Sequence, residues 1–155
     1  MKMMFICTGN ICRSAMAHWL MKKKIEEKNI PNVEIYSSGI FAMPGDVSTK
    51  EAIEVMEEYG VDLKQHRATL TRNSNIQEME IVLCMTNSHK QSLIQMYPEL
   101  KNKIFTLKEY VGITKDGAEI KDPWGYDIVT YRFCAAEIDA CLEKLTEKIK
   151  SMKKD

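Results

Sequence analysis

The chain has 155 residues, enough for one domain with a substantial buried core. Apolar residues make up 45% and charged residues 28%, a balance that excludes a disordered or membrane-embedded chain. Its 22 basic and 22 acidic residues cancel, so neither nucleic acid nor an anionic membrane is expected as a partner. The apolar run over residues 1–6 is too short for a secretion signal or a membrane span, so we expect a cytoplasmic protein.

The five cysteines are an odd number without the spacing of a secreted disulfide framework, so free thiols are expected. Cys7 and Cys12 are close in sequence, but the three histidines form no second ligand pair with them, so no metal or other cofactor is expected. Cys84 lies in an apolar run, and Cys134 and Cys141 stand two helical turns apart. These three are expected to be packing residues.

Segments with strand patterns and segments with helix patterns alternate along the chain, without repeat or linker, which predicts one domain over residues 1–155. Strands are predicted over residues 3–7, 33–36, 81–85 and 104–107. Helices are predicted over residues 14–28, from the capping box at Ser48 to Gly60, over 88–96 and over 128–152. The last helix carries an apolar stripe that favours packing against a sheet over a coiled coil. Alternation of this kind is typical of an α/β fold, a three-layer domain with helices on both faces of a parallel sheet.

The loop after the first predicted strand carries the polar motif of the chain, the octet Cys7-Thr8-Gly9-Asn10-Ile11-Cys12-Arg13-Ser14. A loop that enters a helix can curl so that its backbone N–H groups converge on one anion. Gly9 and Asn10 tolerate the left-handed backbone that such a curl requires. We therefore expect residues 8–13 to bind phosphate, with the planar fork of Arg13 holding two of its oxygens.

Cys7 is the expected nucleophile within this cradle. A helix N-terminus and a neighbouring cation favour the thiolate form of a cysteine, and Ser14 can donate a hydrogen bond to it. By itself, a cysteine six residues before an arginine could simply end a buried strand, because so short a pattern arises by chance. The complete octet at a strand-to-helix junction favours the catalytic interpretation.

The segment Asp122-Pro123-Trp124-Gly125 can supply the acid that this chemistry needs. Phosphoryl transfer to Cys7 requires a proton for the leaving oxygen, and hydrolysis of the phospho-cysteine requires a base; one carboxyl group can serve both steps. Trp124 offers a flat wall for an aromatic ring. Asp-Pro alone is usually a turn signal, but together with the octet it favours a functional role for Asp122.

The octet and the Asp-Pro-aromatic segment together resemble the low-molecular-weight protein tyrosine phosphatases, over essentially the whole chain. The resemblance implies a four-stranded parallel sheet of order 2-1-3-4. It identifies Cys7 with the nucleophile, Arg13 with the phosphate clamp and Asp122 with the general acid/base. It also implies a phosphorylated protein as substrate and inorganic phosphate as product.

Supporting residues follow from the same resemblance. Asn10 and Ser14 match the residues that brace the loop and the thiolate. Ser38 and His66 resemble the partners that hold the loop asparagine in place. Equally, Ser38 could be an ordinary turn serine and His66 a surface histidine.

Cys12 resembles the neighbour that forms a reversible disulfide with the nucleophile and protects it from over-oxidation. The alternative is a small residue that only packs the loop. The reactivity expected of the Cys7 thiolate favours the redox role.

The substrate pocket is where this chain departs from the family pattern. Gly125 follows Trp124 where many members carry a second aromatic residue, so that wall is either lost or supplied elsewhere. Phe41 and Met43 are the candidates to supply it, although an apolar loop residue is often only packing. The bacterial branch that the chain resembles includes protein arginine phosphatases, in which a threonine of the phosphate loop is associated with phosphoarginine. Ile11 stands at that position, and because its apolar side chain suits an aromatic ring, phosphotyrosine is the expected substrate.

Three other functions remain open from the sequence. A protein arginine phosphatase would use the same machinery on a different leaving group. An arsenate reductase would need relay cysteines, for which Cys84 is a poor candidate. A non-catalytic anion-binding module would have no reason to keep nucleophile, clamp and acid together.

Overall fold

Strands and helices alternate along the chain as the sequence patterns predict. The computed structural model describes residues 1–153. The strands are β1 (Lys2–Cys7), β2 (Glu34–Gly39), β3 (Ile81–Cys84) and β4 (Ile104–Thr106). The helices are α1 (Arg13–Glu27), α2 (Lys50–Glu58), α3 (Asn87–Met96), α4 (Leu107–Tyr110) and α5 (Ile128–Lys153). Short 3-10 helices cover Thr71–Asn73, Ile76–Glu78, Pro98–Lys103 and Lys115–Ala118.

The four strands form one parallel sheet in the order β2-β1-β3-β4, which confirms the predicted topology. Strand β1 is central, with Cys7 paired to Gly39 of β2 and Ile6 paired to Cys84 of β3. The chain therefore leaves β1 between the carboxyl ends of two neighbouring strands. A parallel sheet binds ligands at such a switch point, and the octet begins there.

Helices cover both faces of the sheet, and β1 shows this residue by residue. Met3 and Phe5 face the larger apolar cluster, which also contains residues of α1, α2 and α5. Met4 and Ile6 face the smaller cluster, which contains Leu93 of α3. Because side chains alternate along a strand, a continuous apolar run is what a strand with two covered faces needs. No helix within residues 1–153 combines the length and apolar character needed to cross a membrane.

Several predicted boundaries differ from the observed ones by one to three residues, and side-chain caps explain two of these differences. Helix α2 is capped by Thr49, whose hydroxyl accepts the Ala52 N–H at 3.3 Å. Ser48, the predicted cap, is buried one residue earlier, and its hydroxyl has no partner among the described residues. Strand β4 ends at Thr106 because Thr106 and Glu109 form a capping box that starts α4.

All five cysteines are free and buried. Cys84 is fully buried in β3, and burial raises the pKa of its thiol far above the ordinary value. Burial also raises the pKa of Cys134 to about 12 and that of Cys141 to about 11. These three thiols lie in the core as packing residues.

Candidate active site

The octet leaves β1 as a tight loop that rests on the end of β2. The Thr8 carbonyl accepts the Phe41 N–H at 2.9 Å, and the Cys7 carbonyl accepts the Ile40 N–H at 3.1 Å. Asn10 has a φ of 56°, whereas Gly9 does not have a positive φ. The left-handed residue of the curl is therefore Asn10 alone, and asparagine tolerates this conformation better than most other side chains.

Two hydrogen-bond donors converge on the sulfur of Cys7. The Asn10 N–H donates to Sγ at 3.2 Å, and the Ser14 Oγ lies 2.9 Å from Sγ. The Asn10 Nδ2 donates to Ser14 Oγ at 2.8 Å, so the single hydroxyl hydrogen of Ser14 is free to point at the sulfur. This arrangement stabilises a negatively charged sulfur, which is the nucleophilic form of a cysteine.

Every polar group of Asn10 is engaged. Its side-chain oxygen accepts the Thr69 N–H at 2.9 Å, and its backbone carbonyl lies 2.8 Å from the His66 Nε2. Ser38 does not bond to Asn10; its hydroxyl lies 2.8 Å from that of Thr71, and its carbonyl is 3.5 Å from Ser14 Oγ. His66 thus holds the loop asparagine directly, whereas Ser38 stands behind Ser14.

Arg13 is almost completely buried, and one of its two terminal nitrogens is hydrogen-bonded to the protein backbone. Its Nη1 donates to the Ile120 carbonyl at 2.9 Å, and its Nη2 lies 3.6 Å from the Asp122 carboxylate. Its Nε is buried without a partner among the described residues. Since buried polar groups are almost always satisfied, the edge formed by Nε and Nη2 has the donors to bind an oxyanion.

The N-terminus of α1 adds to this positive environment. The cap residue Cys12 places no side-chain hydrogen bond on the first turn, and that turn contains no acidic residue. The helix runs for 15 residues, so its first N–H groups carry the partial positive charge of a full helix dipole. An anion at the loop is therefore favoured by the helix as well as by Arg13.

The sulfur, the clamp and the acid border one hollow of about 260 Å³. Its lining consists of Cys7, Thr8, Gly9, Ile11, Cys12, Arg13, Asp122 and Trp124. Asp122 is half exposed and accepts the Trp124 N–H at 3.1 Å, which ties the acid to the aromatic wall. Phe41 and Met43 are not in this lining: both are strongly exposed, and Phe41 borders a separate groove with Arg72.

Cys12 lines the hollow, and its thiol contacts two hydroxyl groups. Its Sγ is 3.3 Å from the Tyr131 hydroxyl and 3.6 Å from that of Thr49. Burial raises the pKa of Cys12 to about 11, although both hydroxyl groups act in the opposite direction. Cys12 is therefore a protonated thiol at neutral pH.

Three site residues escaped the sequence analysis. Gly39 packs so closely under the loop that an added Cβ would lie 2.5 Å from the Thr8 carbonyl oxygen. Tyr131 reaches Cys12 from α5. His89 lies 2.9 Å from the Thr8 hydroxyl, and burial and the charge of Arg13 lower its pKa to about 4. Only His89 had a usable signal: it follows the end of β3, at the same edge of the sheet as the octet.

No group of three or more histidine, cysteine or acidic side chains within the described residues is placed to hold a metal ion.

Comparison with known proteins gives the same picture. Residues 2–155 match the family described as low molecular weight phosphotyrosine protein phosphatase. A protein-arginine-phosphatase of Geobacillus stearothermophilus is 38% identical over 97% of both chains. The low molecular weight protein-tyrosine-phosphatase PtpB of Staphylococcus epidermidis is 34% identical over 96% of this chain and 99% of its own.

A solved structure extends the likeness to three dimensions. The low molecular weight protein tyrosine phosphatase from T. tengcongensis superposes with a TM-score of 0.89, at 40% identity, over 96% of this chain and 99% of its own. Together with the sheet order and the octet, these matches establish that the chain belongs to the low-molecular-weight phosphotyrosine protein phosphatase family, whose members are phosphoric monoester hydrolases.

Proposed function

We propose that this protein hydrolyses phosphotyrosine in protein substrates through a phospho-cysteine intermediate. The observation that carries the proposal is the convergence of Asn10 N–H and Ser14 Oγ on the Cys7 sulfur, in the hollow that Arg13 and Asp122 also line. A sulfur held in this way can attack, and the two charged groups supply the other functions that phosphoryl transfer needs.

In the first step the Cys7 thiolate attacks phosphorus and forms an S–P bond while the P–O bond to the tyrosine oxygen breaks. Asp122, protonated at this stage, gives its proton to the leaving oxygen. The loop N–H groups and the Nε and Nη2 of Arg13 stabilise the charge on the transferring group, because they are fixed before the reaction starts.

In the second step water replaces the sulfur. The Asp122 carboxylate takes a proton from the water, whose oxygen attacks phosphorus as the S–P bond breaks. Inorganic phosphate leaves, the Cys7 thiolate is restored, and Asp122 is protonated again. Ser14 donates to the departing sulfur, so the same hydroxyl assists both steps.

The experiment that tests covalent catalysis compares wild type with Cys7→Ser. We expect the serine variant to bind inorganic phosphate and to lose turnover, because an alcohol is a far weaker nucleophile than a thiolate. Hydrolysis at the wild-type rate in Cys7→Ser would refute the proposal.

The preference for phosphotyrosine rests on Ile11 and Trp124. Both line the hollow. The flat indole of Trp124 and the branched apolar side chain of Ile11 both suit an aromatic leaving group. Protein arginine phosphatase is the second candidate, because the relative from Geobacillus stearothermophilus carries that name. A guanidinium leaving group is polar, and Ile11 offers it no hydroxyl.

The two substrates are separated by measuring kcat/KM on matched phosphotyrosine and phosphoarginine peptides, with Ile11→Thr alongside wild type. We expect wild type to favour phosphotyrosine and Ile11→Thr to shift the ratio towards phosphoarginine. A wild-type ratio in favour of phosphoarginine would replace the first candidate with the second.

The two remaining alternatives are less compatible with the site. Arsenate reduction would need a relay thiol, and Cys84 is fully buried in β3 with a strongly raised pKa. A module that only binds anions would have no use for a carboxylate 3.6 Å from the clamp, since that charge repels phosphate.

A further inference from the structure

The phosphate loop is held by a histidine, His66, whose two ring nitrogens each have a hydrogen-bond partner that determines whether the nitrogen carries a proton. The Trp19 Nε1–H donates to the His66 Nδ1 at 2.8 Å, and the His66 Nε2 lies 2.8 Å from the Asn10 carbonyl. An indole N–H can only donate, and a carbonyl can only accept. His66 must therefore be the neutral tautomer that carries its hydrogen on Nε2.

We propose that Trp19 is a positioning residue of the phosphate loop, acting through His66 on the peptide that joins Asn10 to Ile11. The inference rests on the proposed function in one respect only, that the loop is the phosphate cradle.

The effect on the loop follows from the planarity of the peptide bond. No peptide bond in the described chain is cis, so the Asn10 carbonyl and the Ile11 N–H point in opposite directions. His66 pulls the carbonyl to its own side, and His66 is not part of the hollow's lining. The Ile11 N–H is thereby turned away from His66, towards the side where phosphate would bind.

Asn10 needs an outside constraint of this kind. Its φ of 56° is a left-handed conformation, which is unfavourable for a residue with a Cβ, although less so for asparagine than for most others. Such conformations persist only where the surroundings determine them. The Asn10 side chain is already held by Thr69 and Ser14, and the His66 bond fixes the remaining carbonyl.

Trp19 is well placed to hold the ring, because it belongs to the same helix that closes the loop. Helix α1 begins at Arg13 and carries the indole about two turns later. The His18 ring stacks on the indole at 4.7 Å with an interplanar angle of 2°, and the Lys22 ammonium lies 4.6 Å from its centre. Because it belongs to α1, the indole is carried by a helix rather than by a loop.

The neutral form of His66 is supported by its surroundings. Burial and the charge of Arg67 lower its pKa, while the bond to the Asn10 carbonyl raises it. The His18 ring, 6.0 Å away and edge-on, is neutral as well, because burial lowers its pKa to about 3. A second proton on His66 would sit on Nδ1. Nδ1 could then no longer accept the indole N–H, and two donors would point at each other.

The test combines nitrogen NMR with phosphate binding. In 15N-labelled protein at neutral pH we expect His66 to show a protonated Nε2 and a bare Nδ1. Trp19→Phe removes the N–H and keeps an aromatic ring, so His66 should protonate at higher pH. Affinity for inorganic phosphate should fall about threefold to tenfold, the usual effect of one hydrogen bond.

Lys22→Met is the matched control, because it removes a contact of the indole ring and leaves its N–H untouched. We expect wild-type nitrogen shifts and phosphate affinity in that variant. Unchanged His66 shifts together with unchanged phosphate affinity in Trp19→Phe would overturn the proposal.

A double-mutant cycle tests whether Trp19 acts through His66. In a His66→Phe background, Trp19→Phe should cause no further loss of phosphate affinity. An equal loss in both backgrounds would mean that Trp19 only packs α1, which also overturns the proposal. None of these measurements depends on turnover, so they test the role of Trp19 even if phosphotyrosine proves not to be the substrate.

Discussion

Ser14 places its hydroxyl oxygen 2.9 Å from the sulfur of Cys7 while it accepts a hydrogen bond from Asn10 Nδ2 at 2.8 Å. An ionised Cys7 sulfur can only accept, so it receives the single hydrogen of the Ser14 hydroxyl while Asn10 Nδ2 binds a lone pair of the same oxygen. The loop asparagine thus holds the serine oxygen in place beside the nucleophile. Nucleophile, serine and asparagine form one unit rather than three separate contacts.

Ser14→Ala should lower kcat by about tenfold to a hundredfold, since a hydrogen bond to a charged group is stronger than a neutral one. Alkylation of Cys7 by iodoacetamide at neutral pH should slow in parallel, because the thiolate loses one of its two donors. Ser37→Ala is the control, as the Ser37 hydroxyl bonds to His18 and not to the loop. Equal alkylation rates in wild type and Ser14→Ala would contradict the role given to the serine.

Asp122→Asn should separate chemistry from binding. On substrates with poor leaving groups kcat should fall about 10²–10⁴-fold, the usual contribution of a general acid, while activated aryl phosphates should be affected much less. Inorganic phosphate should bind more tightly, because the variant removes a negative charge 3.6 Å from Arg13. A uniform loss on all substrates would argue against proton donation by this carboxyl group.

The catalytic residues could be proposed from the sequence because their signal is local. Cys7, Arg13 and Ser14 lie within eight residues at a strand-to-helix junction, and the strand patterns indicated where that junction lies in the sheet. Sheet order came from the family resemblance, since periodicity alone does not say which strands are neighbours. The position of Asp122 beside Arg13 depended on the same resemblance.

The braces behind the loop could not be derived in this way. Trp19 reads as one more apolar residue of an amphipathic helix, and its indole N–H meets His66 across 47 residues of chain. Tyr131 reads as part of the α5 stripe, yet it contacts Cys12 from 119 residues away. Gly39 reads as a turn glycine after Ser38. In each case the role is set by tertiary contacts that no local period encodes.

Cys12 gives a prediction about oxidation. After peroxide converts Cys7 to a sulfenic acid, the Cys12 thiolate would attack its sulfur, form the S–S bond of the Cys7–Cys12 disulfide and displace hydroxide, which water protonates. The pKa of Cys12 is raised to about 11 by burial, so little thiolate is present at neutral pH. The rate of disulfide closure should therefore rise about tenfold per pH unit between roughly pH 7 and 10.

The measurement is peroxide inactivation followed by addition of a dithiol reductant. Wild type should recover its activity, whereas Cys12→Ser should not, because its Cys7 goes on to the sulfinic acid. Cys141→Ser is the control, since that thiol is buried on α5 and does not line the hollow. Full recovery of activity in Cys12→Ser would mean that Cys12 only packs the loop and has no redox role.

Gly39→Ala should damage the loop through packing alone. Its φ is not positive, but a Cβ there would lie 2.5 Å from the Thr8 carbonyl oxygen and 2.8 Å from the Asn10 backbone nitrogen. Backbone atoms cannot rotate away, so the loop must shift. We expect unfolding free energy to fall by about 1–3 kcal/mol, as for other overpacked sites, and phosphate affinity to fall with it.

Gly112→Ala is the contrasting variant for this experiment. Gly112 has a φ of 83° and open space around the position of a Cβ, so alanine there is strained without touching a neighbour. It should lower the free energy of unfolding by about 1 kcal/mol and leave phosphate affinity unchanged. Chemical denaturation and phosphate titration of both variants give the comparison. If Gly39→Ala lost stability but bound phosphate like Gly112→Ala, the close approach of β2 would not shape the cradle.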